Sequence, residues 1–345
     1  MATLYTETIT PAELSGFARA AQEDIEATQG TLARWLPNTA VNDIVVRTVV
    51  GSNGAGDLAQ YRSFDAETPI GNGGEAERKI FELLPLGLKE RIGEYDQLRA
   101  RGGDGAAIAL GGVEKATTRV VRAIVDRLEV ARGQALESGA LSISENGVVQ
   151  SPSFGRPVTN TKTPAALWDA SSGVKILDDL TTWNESYADA NEGAPIGTLL
   201  VSRKVLATIL KDDGIRALVR GSQSTVDAPV SIAALNEAIA AYGLPPIEVF
   251  DRKVKGTRVV SEKKVLMLPA PVDPNSGSNI LGATFFGTTL ESQEPNYGLA
   301  AGDQPGIAVG QYKTNDPIGM WVHANAIAMP ILVNPVASMV ATVIA

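Results

Sequence analysis

The stretch that most constrains the fold is residues 112–139, where apolar side chains recur at alternating steps of three and four residues. This spacing is typical of one face of an α-helix, and the face includes Val120, Ile124 and Leu128. Such a helix would be about 40 Å long at 1.5 Å per residue, well above the usual globular length. The other side carries charged residues: Arg119, Arg122, Asp126, Glu129 and Arg132. The pattern predicts a long spine helix with one apolar face, against which the flanking chain packs.

The first 42 residues predict an N-terminal arm. Thr10, Pro11 and Glu13 have the pattern of a capping box with proline at the first helical position, which indicates the start of a helix. That helix would carry apolar residues on one face: Leu14, Phe17, Ala18 and Ala21. Because this apolar surface is too small to make a core alone, residues 1–42 are expected to form an arm.

Residues 43–92 predict a long β-hairpin. Strand patterns at 43–50 and 77–86 flank a polar, glycine-rich segment. A long two-stranded hairpin is only marginally stable in water by itself, and no adjacent helix is available to cover it. We therefore expect a neighbouring subunit to cover the hairpin. Gly102, Gly103 and Gly105 follow it and predict a flexible hinge before the spine helix.

Alternating helices and strands are predicted from residue 164 onward. The apolar run at 198–201 is typical of a buried strand, and Ser202 is placed to cap the helix that follows it. Further helix and strand patterns continue to about residue 310, so this segment predicts an α/β layer of its own. Residues 306–332 supply closing strands.

The sequence contains little material for catalysis or metal binding. Cysteine is absent and His323 is the single histidine, which excludes thiol chemistry and any site made of two histidines. The carboxylate pairs Asp178–Asp179 and Asp212–Asp213 fall at predicted helix ends, where capping in solvent explains them better than acid–base chemistry. We therefore expect no catalytic residues, no metal and no cofactor.

A glycine-rich stretch at residues 51–56 imitates a phosphate-binding loop. That loop needs Lys and then Ser or Thr directly after it, whereas this chain has Asp57 and Leu58. A carboxylate there would repel a phosphate, so we interpret the stretch as part of the hairpin.

The net charge of −9 argues against a protein that grips nucleic acid, because such proteins present clustered Lys and Arg. An acidic protein would contain DNA more readily than bind its sequence. The C-terminal residues 327–345 are apolar, but Pro330 and Pro335 divide them into short pieces that are typical of buried strands. No membrane association is expected.

The order of these parts resembles that of the major capsid proteins of tailed bacteriophages, and in particular the lambda-type (protein E) family. Residues 82–94 (ELLPLGLKERIGE) are similar to the family's return from its extended loop. Residues 198–210 (TLLVSRKVLATIL) resemble its strand-into-helix unit, and 325–345 (NAIAMPILVNPVASMVATVIA) resemble its terminal strands and Asn-Pro turn. The order covers the whole chain, whereas the likeness between residues is confined to these pieces.

This resemblance implies an α+β protein with the Hong Kong ninety-seven fold. Residues 1–42 would be the N-terminal arm and 43–92 the extended loop. The peripheral domain would comprise 93–163 and 311–333, including the spine helix, and the axial domain would comprise 164–310 and 334–345. Tyr61, Arg62 and Phe64 would lie near the tip of the loop, across the neighbouring subunit.

The implied function is that of a structural virion protein and not of an enzyme. Subunits would assemble into the pentamers and hexamers of an icosahedral shell that encloses double-stranded DNA without sequence-specific binding. The hairpin begins near residue 43, which leaves no room for an N-terminal scaffolding segment, so a separate scaffolding protein is expected. A portal protein and a decoration protein are the other implied partners, and assembly would take place in the cytoplasm of the bacterial host.

Two alternatives remain open at this point. An encapsulin-type shell shares the fold but packages an enzyme instead of a genome. An α/β enzyme that uses Asp and Glu chemistry belongs to a different class. The lambda-like ending argues against the first alternative, and the lack of a nucleophile or base constellation argues against the second.

Overall fold

The computed structural model describes residues 3–7, 9–51, 76–95, 98, 105–220, 230–277, 279–316 and 318–345. The helices with defined bounds are α1 (Pro11–Thr28), α2 (Gly105–Ser138), α3 (Ile176–Ala190), α4 (Arg203–Ile209), α5 (Asp213–Arg220), α6 (Ile232–Ala240) and α7 (Leu290–Gln293). The strands are β1 (Thr3–Leu4), β2 (Asn38–Ala40), β3 (Val45–Gly51), β4 (Ala76–Glu82), β5 (Pro85–Ile92), β6 (Ile143–Glu145), β7 (Val148–Gln150), β8 (Thr161–Lys162), β9 (Thr198–Val201), β10 (Ile247–Val249), β11 (Lys253–Val254), β12 (Thr257–Arg258), β13 (Lys264–Leu268), β14 (Gly282–Gly287), β15 (Ala308–Asn315), β16 (Ile318–Leu332) and β17 (Met339–Thr342).

The first unit comprises Met1–Val46, Phe81–Gly133 and Val272–Ile331. Its sheet has the order β1-β15-β16-β14-β2, and β5 also pairs with β16. β15 and β5 both run antiparallel to β16, whereas β14 and β2 are parallel to each other. The long strand β16 is therefore the centre of this sheet.

Alternation along β16 determines which face of the first sheet is buried. Even-numbered side chains from Met320 to Ala328 are buried, and odd-numbered side chains from Trp321 to Ile327 are only partly buried. Successive side chains in a strand point to opposite faces, so one face of the sheet forms the core. The buried face packs in one hydrophobic cluster with apolar residues of α1 and α2.

Helix α1 begins where the capping box predicts. Thr10 accepts a hydrogen bond from the backbone N–H of Glu13, and the Glu13 carboxylate accepts one from the backbone N–H of Thr10. The Thr10 hydroxyl also donates a hydrogen bond of 2.9 Å to this carboxylate. The backbone N–H of Thr10, and to a lesser extent its hydroxyl, hold the pKa of Glu13 below its ordinary value. Leu14 and Ala18 are fully buried in the core of the first unit. The helix thus packs on other elements of this unit, whereas Phe17, predicted to face inward, is exposed.

Helix α2 is longer than the sequence predicts. It spans 34 residues and starts at Gly105 instead of residue 112, so Gly111 and Gly112 lie inside it. The residues between Gly105 and Gly111 are alanine, isoleucine and leucine, and the strong helix propensity of Ala and Leu offsets the cost of roughly 1 kcal/mol per interior glycine. Gly105, predicted as a hinge residue, is the first residue of the helix.

The second unit comprises Arg47–Ile80, Gln134–Pro271 and Leu332–Ala345. Its sheet has the order β10-β9-β13-β17-β8, and β9 is parallel to β10 and antiparallel to β13. All four residues of β9 are buried, as the apolar run predicts. Ser202 caps α4 by accepting a hydrogen bond from the backbone N–H of Val205. Helices α3 to α6 contribute to the hydrophobic cluster of this unit.

The C-terminal end of α2, residues 134–138, belongs to the second unit, where a cation caps it. Gly139 has φ +69°, the left-handed conformation that ends many helices at a glycine. The Arg156 guanidinium donates hydrogen bonds of 2.7 Å to the carbonyl oxygens of Leu136 and Glu137. A positive charge at this end also complements the helix dipole. Burial lowers the pKa of Arg156 to about 10, so it remains charged at neutral pH.

The division between the two units differs from the predicted domain boundary. The prediction assigns residues 164–310 to one axial domain, whereas the first unit takes up the chain again at Val272. The reason lies in β14, which pairs with β2 and β16 of the first sheet. Strand pairing with residues far away in the chain decides this boundary, and no local pattern in the sequence indicates it.

Candidate functional site

The residues predicted for assembly fall partly outside the described ranges. Tyr61, Arg62 and Phe64 of the loop tip, and Gly102 and Gly103 of the hinge, lie outside them. On α2, Val120 is fully buried and Ile124 and Leu128 are 2% exposed. These three side chains pack in the core of the first unit, with Val309 and Val322 of the sheet.

A charged cluster is fully buried in the first unit. Arg132 on α2 donates a hydrogen bond of 2.9 Å from Nη1 to Oε1 of Glu26 on α1, and it lies 3.5 Å from Oε2 of Glu129. All three side chains have zero exposure. Charges in such a place are tolerated only when paired and hydrogen-bonded, because burying an isolated charge is very costly.

Polar groups from three further segments complete this cluster. Arg132 donates to Oγ1 of Thr284 at 2.8 Å and to Oδ1 of Asn38 at 2.6 Å. Oε1 of Glu129 accepts from the backbone N–H of Leu32 at 2.9 Å. The Arg132 guanidinium therefore joins α2 to α1, β2 and β14, and Glu129 adds the loop after α1.

The sequence pattern placed Glu129 and Arg132 on the polar side of the spine helix, and this prediction was wrong. The partner Glu26 is 106 residues away in the chain. Helical periodicity reports only which residues share a face. It cannot indicate that a second element covers the polar face as well.

The other face of the first sheet carries cations and aromatic rings. We call Lys89, Arg91, Tyr312, Trp321 and His323 the cationic face. The Tyr312 and Trp321 rings are stacked with centroids 6.2 Å apart, and Lys89 Nζ lies 5.2 Å from the centroid of Trp321. Arg91 is the cross-strand partner of Trp321, and Lys89 that of His323. Pairing of β16 with β5 on one side and with β15 on the other thus brings all five residues together.

His323 has a partner that the sequence did not indicate. Its Nε2 lies 2.8 Å from the hydroxyl oxygen of Tyr297. A side chain at Gly310 would place Cβ within 2.5 Å of that hydroxyl, so a glycine is required beneath this contact. Burial, together with the nearby Glu291 and Glu294, raises the pKa of Tyr297 to about 12. Tyr297 therefore keeps its proton at neutral pH, and its hydroxyl shares a hydrogen bond with His323 Nε2.

A groove of about 710 Å³ lies beside the cationic face. Its floor is formed by β5 and β16, and α7 supplies residues to its side. Its lining includes the apolar side chain of Leu290, which is 79% exposed, together with Lys89, His323 and Glu291. Oε1 of Glu291 accepts a hydrogen bond of 2.6 Å from Asn325.

The paired carboxylates have structural partners. Oδ1 of Asp212 accepts from the backbone N–H of Ile215 at 2.9 Å at the start of α5, and Oδ2 of Asp179 accepts from Trp168 Nε1 at 3.0 Å. Partial burial raises the pKa of Asp179. Among the residues that the structure describes, no group of three or more His, Cys, Asp or Glu is arranged to hold a metal. None of the described helices is long and apolar enough to cross a membrane.

Two solved structures share this architecture over nearly the whole chain. One is a candidate capsid protein of an Escherichia coli CFT073 prophage, 13% identical, with a TM-score of 0.61 and complete coverage of both chains. The other is a phage-related protein of Bordetella bronchiseptica RB50, 16% identical, with a TM-score of 0.58 and coverage of 97% of this chain and 98% of that one. No curated protein matches the chain. The fold is thus the Hong Kong ninety-seven fold of phage capsid proteins, and the predicted fold class is confirmed.

The sequence comparison identifies the family. The model of phage major capsid protein E matches residues 20–343, and the chain belongs to this family. The resemblance noted in the sequence is therefore confirmed, and so is the function of a major capsid protein in the virion. Capsid proteins assemble with copies of themselves into shells, which places the functional surfaces of this chain at its contacts with other copies.

Proposed function

We propose that the chain is the repeating subunit of an icosahedral shell that encloses double-stranded DNA, arranged in pentamers and hexamers. The observation that carries this proposal is the match of the capsid family over residues 20–343. Heterologous contacts around a rotation axis close into rings, so one subunit surface can generate both kinds of ring. In this proposal the first unit contains most of the peripheral domain and the second unit most of the axial domain.

The extended loop is proposed to contact a neighbouring subunit. β3 and β4 form a two-stranded sheet of their own. Two apolar side chains are exposed here: Ile80 of β4 is 68% exposed, and Ile44, directly before β3, is 44% exposed. A two-stranded sheet with exposed apolar side chains gains stability when another surface covers it. Tyr61, Arg62 and Phe64 at the proposed tip would supply contacts of the same interface.

Gly102 and Gly103 are proposed to let one sequence occupy non-identical positions in the shell. Glycine reaches positive and negative φ angles at similar cost, so a short glycine segment can change direction between subunits. The helix that follows begins at Gly105, which would make the two preceding glycines the adjustable part of this connection.

The proposed partners are a separate scaffolding protein, a portal protein, a decoration protein and the enclosed DNA, with assembly in the cytoplasm of the bacterial host. The DNA would be contained without sequence-specific contacts, in keeping with the net charge of −9. We also propose that the subunit has no catalytic activity. The hydrogen bonds of Asp179 and Asp212 support this proposal, because each is directed to a nearby tryptophan or helix start.

Electron microscopy of the purified protein tests the proposal directly. The protein would be expressed alone and together with its scaffolding protein. Closed icosahedral shells, or rings of five and six subunits, are the expected result. A protein that remains monomeric at every concentration and salt condition, with the scaffolding protein present, would contradict the proposal.

A second experiment tests the loop tip. The double variant Tyr61→Ser/Phe64→Ser is expected to fold normally but to lose most shell formation, because two aromatic contacts between subunits are removed. The matched control is Tyr242→Ser, which changes an aromatic residue of the second unit that is 52% exposed. Sedimentation and electron microscopy would compare shell yields. Equal yields for both variants would show that the tip does not contribute to assembly.

A further inference from the structure

The cationic face carries two cations, Lys89 and Arg91, that form no ion pair with a carboxylate among the described residues. β5 contains Lys89, Glu90 and Arg91 in succession. Glu90 accepts hydrogen bonds of 2.9 Å and 3.0 Å from Nε of Arg119 on α2. Because adjacent side chains of a strand point to opposite faces, Lys89 and Arg91 lie on the other face, away from that carboxylate.

The contacts of these two cations are weak ones. Lys89 lies over the Trp321 ring, and Arg91 Nη2 donates a hydrogen bond of 3.4 Å to the carbonyl oxygen of Ile318. Neither residue forms an ion pair within the described ranges. Glu291 is the carboxylate that lines the adjoining groove, and Asn325 holds it. Lys89 and Arg91 are therefore without an ion-pair partner, and two cations against the one carboxylate of Glu291 leave the face and its groove with a net charge of about +1.

The rest of the face offers aromatic and apolar area. The stacked Tyr312 and Trp321 rings lie beside Lys89. Leu290 of α7, which lines the groove together with Lys89, is 79% exposed. A partner for this surface must supply negative charge and must cover apolar side chains.

We propose that the cationic face and its groove bind a carboxylate-bearing segment of a second copy of this chain. The charge balance supports this occupant, since each copy has 39 acidic residues against 30 basic ones. The apolar side chains beside the cations favour a polypeptide over a phosphate backbone, which would leave them uncovered. This inference rests on the proposed function, because it requires copies that pack together.

Carbodiimide coupling in assembled shells tests the inference. This reagent joins a lysine amine to a carboxylate that touches it, without a spacer. Shells would be assembled without DNA from an equal mixture of ¹⁴N- and ¹⁵N-labelled subunits, and electron microscopy would first establish that they are closed. Peptide mass spectrometry is expected to find Lys89 joined to an Asp or Glu of the other isotope, a product that only contact between copies can give.

Two variants of Lys89 sharpen this test. Lys89→Arg keeps the charge but lacks the reactive amine, so shells are expected to form normally while the cross-link is lost. Lys89→Glu is expected to reduce shell yield by at least about tenfold, because it places like charges together in an interface. Lys211→Glu, which makes the same change at an exposed lysine of the second unit, should assemble like the wild type.

Several outcomes would overturn the inference. In closed shells, coupling of Lys89 only within its own chain, for example to Glu90 or Glu291, would do so. Absence of coupling at Lys89 would have the same meaning. In those cases the proposed function stands and the inference fails. If the wild-type protein forms no shell, the proposed function fails, and the inference fails with it.

Discussion

At the scale of single residues, Arg132 is the position on which the polar interior of the first unit depends. Replacing it with leucine would leave Glu26 and Glu129 buried without a cation. Breaking a buried ion pair on one side typically destabilises a protein by about 3–5 kcal/mol, and we expect Arg132→Leu to lower the free energy of unfolding by that amount. Urea unfolding of the unassembled subunit would measure it.

The matched control for this prediction is Arg122→Leu, because Arg122 lies on the same helix but is exposed. Substitutions of exposed residues usually change stability by less than about 0.5 kcal/mol. Equal effects of the two substitutions would contradict the importance assigned to the buried cluster.

A second prediction at the scale of single residues concerns His323 and the pH dependence of stability. Burial lowers its pKa, Lys89 lowers it further, and Glu291 acts in the opposite direction. The folded state therefore binds the proton less readily than the unfolded state, whose histidine has a pKa of about 6.5. The contribution of His323 to the free energy of unfolding is therefore complete above a pH of about 6.5. It is lost as the pH falls from there through the lower pKa of His323 in the folded state.

We expect unfolding free energy to decrease as the pH is lowered from 7 to 5, and the decrease to be smaller in His323→Gln. Denaturant unfolding at several pH values would measure the difference between the two proteins. Tyr297→Phe provides a comparison that keeps the imidazole but removes its hydroxyl partner. Identical pH slopes for wild type and His323→Gln would show that this histidine is not responsible.

At the scale of elements, replacing either of two glycines at α2 with alanine should change the free energy of unfolding in opposite directions. Gly112 lies inside α2, and a Cβ there would meet no atom within 4 Å. Gly139 has φ +69°, and a Cβ there would lie 2.8 Å from Cβ of Arg156. We therefore expect Gly112→Ala to stabilise the subunit by about 0.5–1 kcal/mol and Gly139→Ala to destabilise it by about 1–2 kcal/mol.

Each of these glycine variants is the control for the other, because both add one methyl group to the same helix or its end. Chemical unfolding with an unchanged denaturant slope would give both values. Effects of the same sign would mean that Gly112 is not in a regular helical conformation or that the end at Gly139 readjusts.

At the scale of the whole molecule, the net charge of −9 predicts weak and unspecific contact with DNA. We expect the subunit to bind duplex DNA with a Kd above about 10⁻⁴ M at physiological salt, since non-specific binding needs clustered cations. Fluorescence anisotropy with two duplexes of unrelated sequence would measure it. Tighter binding that differs between the duplexes would contradict the proposed role of a container.

The sequence by itself determined the features whose signals are local. The capping box at Thr10 and Glu13, the buried strand β9 and the Ser202 cap of α4 all depend on residues close together in the chain. Backbone propensity and side-chain periodicity act over a few residues, so these patterns can be read without knowing the fold. The order of such elements was also enough to indicate the capsid family.

The tertiary structure alone decided which polar residues are buried and which segments share a unit. Arg132 meets Glu26, and β14 joins the first sheet instead of the layer that precedes it in sequence. His323 finds Tyr297 only because Gly310 leaves room between strands. Each of these contacts joins distant parts of the chain. The stability of such a contact depends on which other element packs on that face of the helix or strand. Periodicity along a single element does not specify this packing.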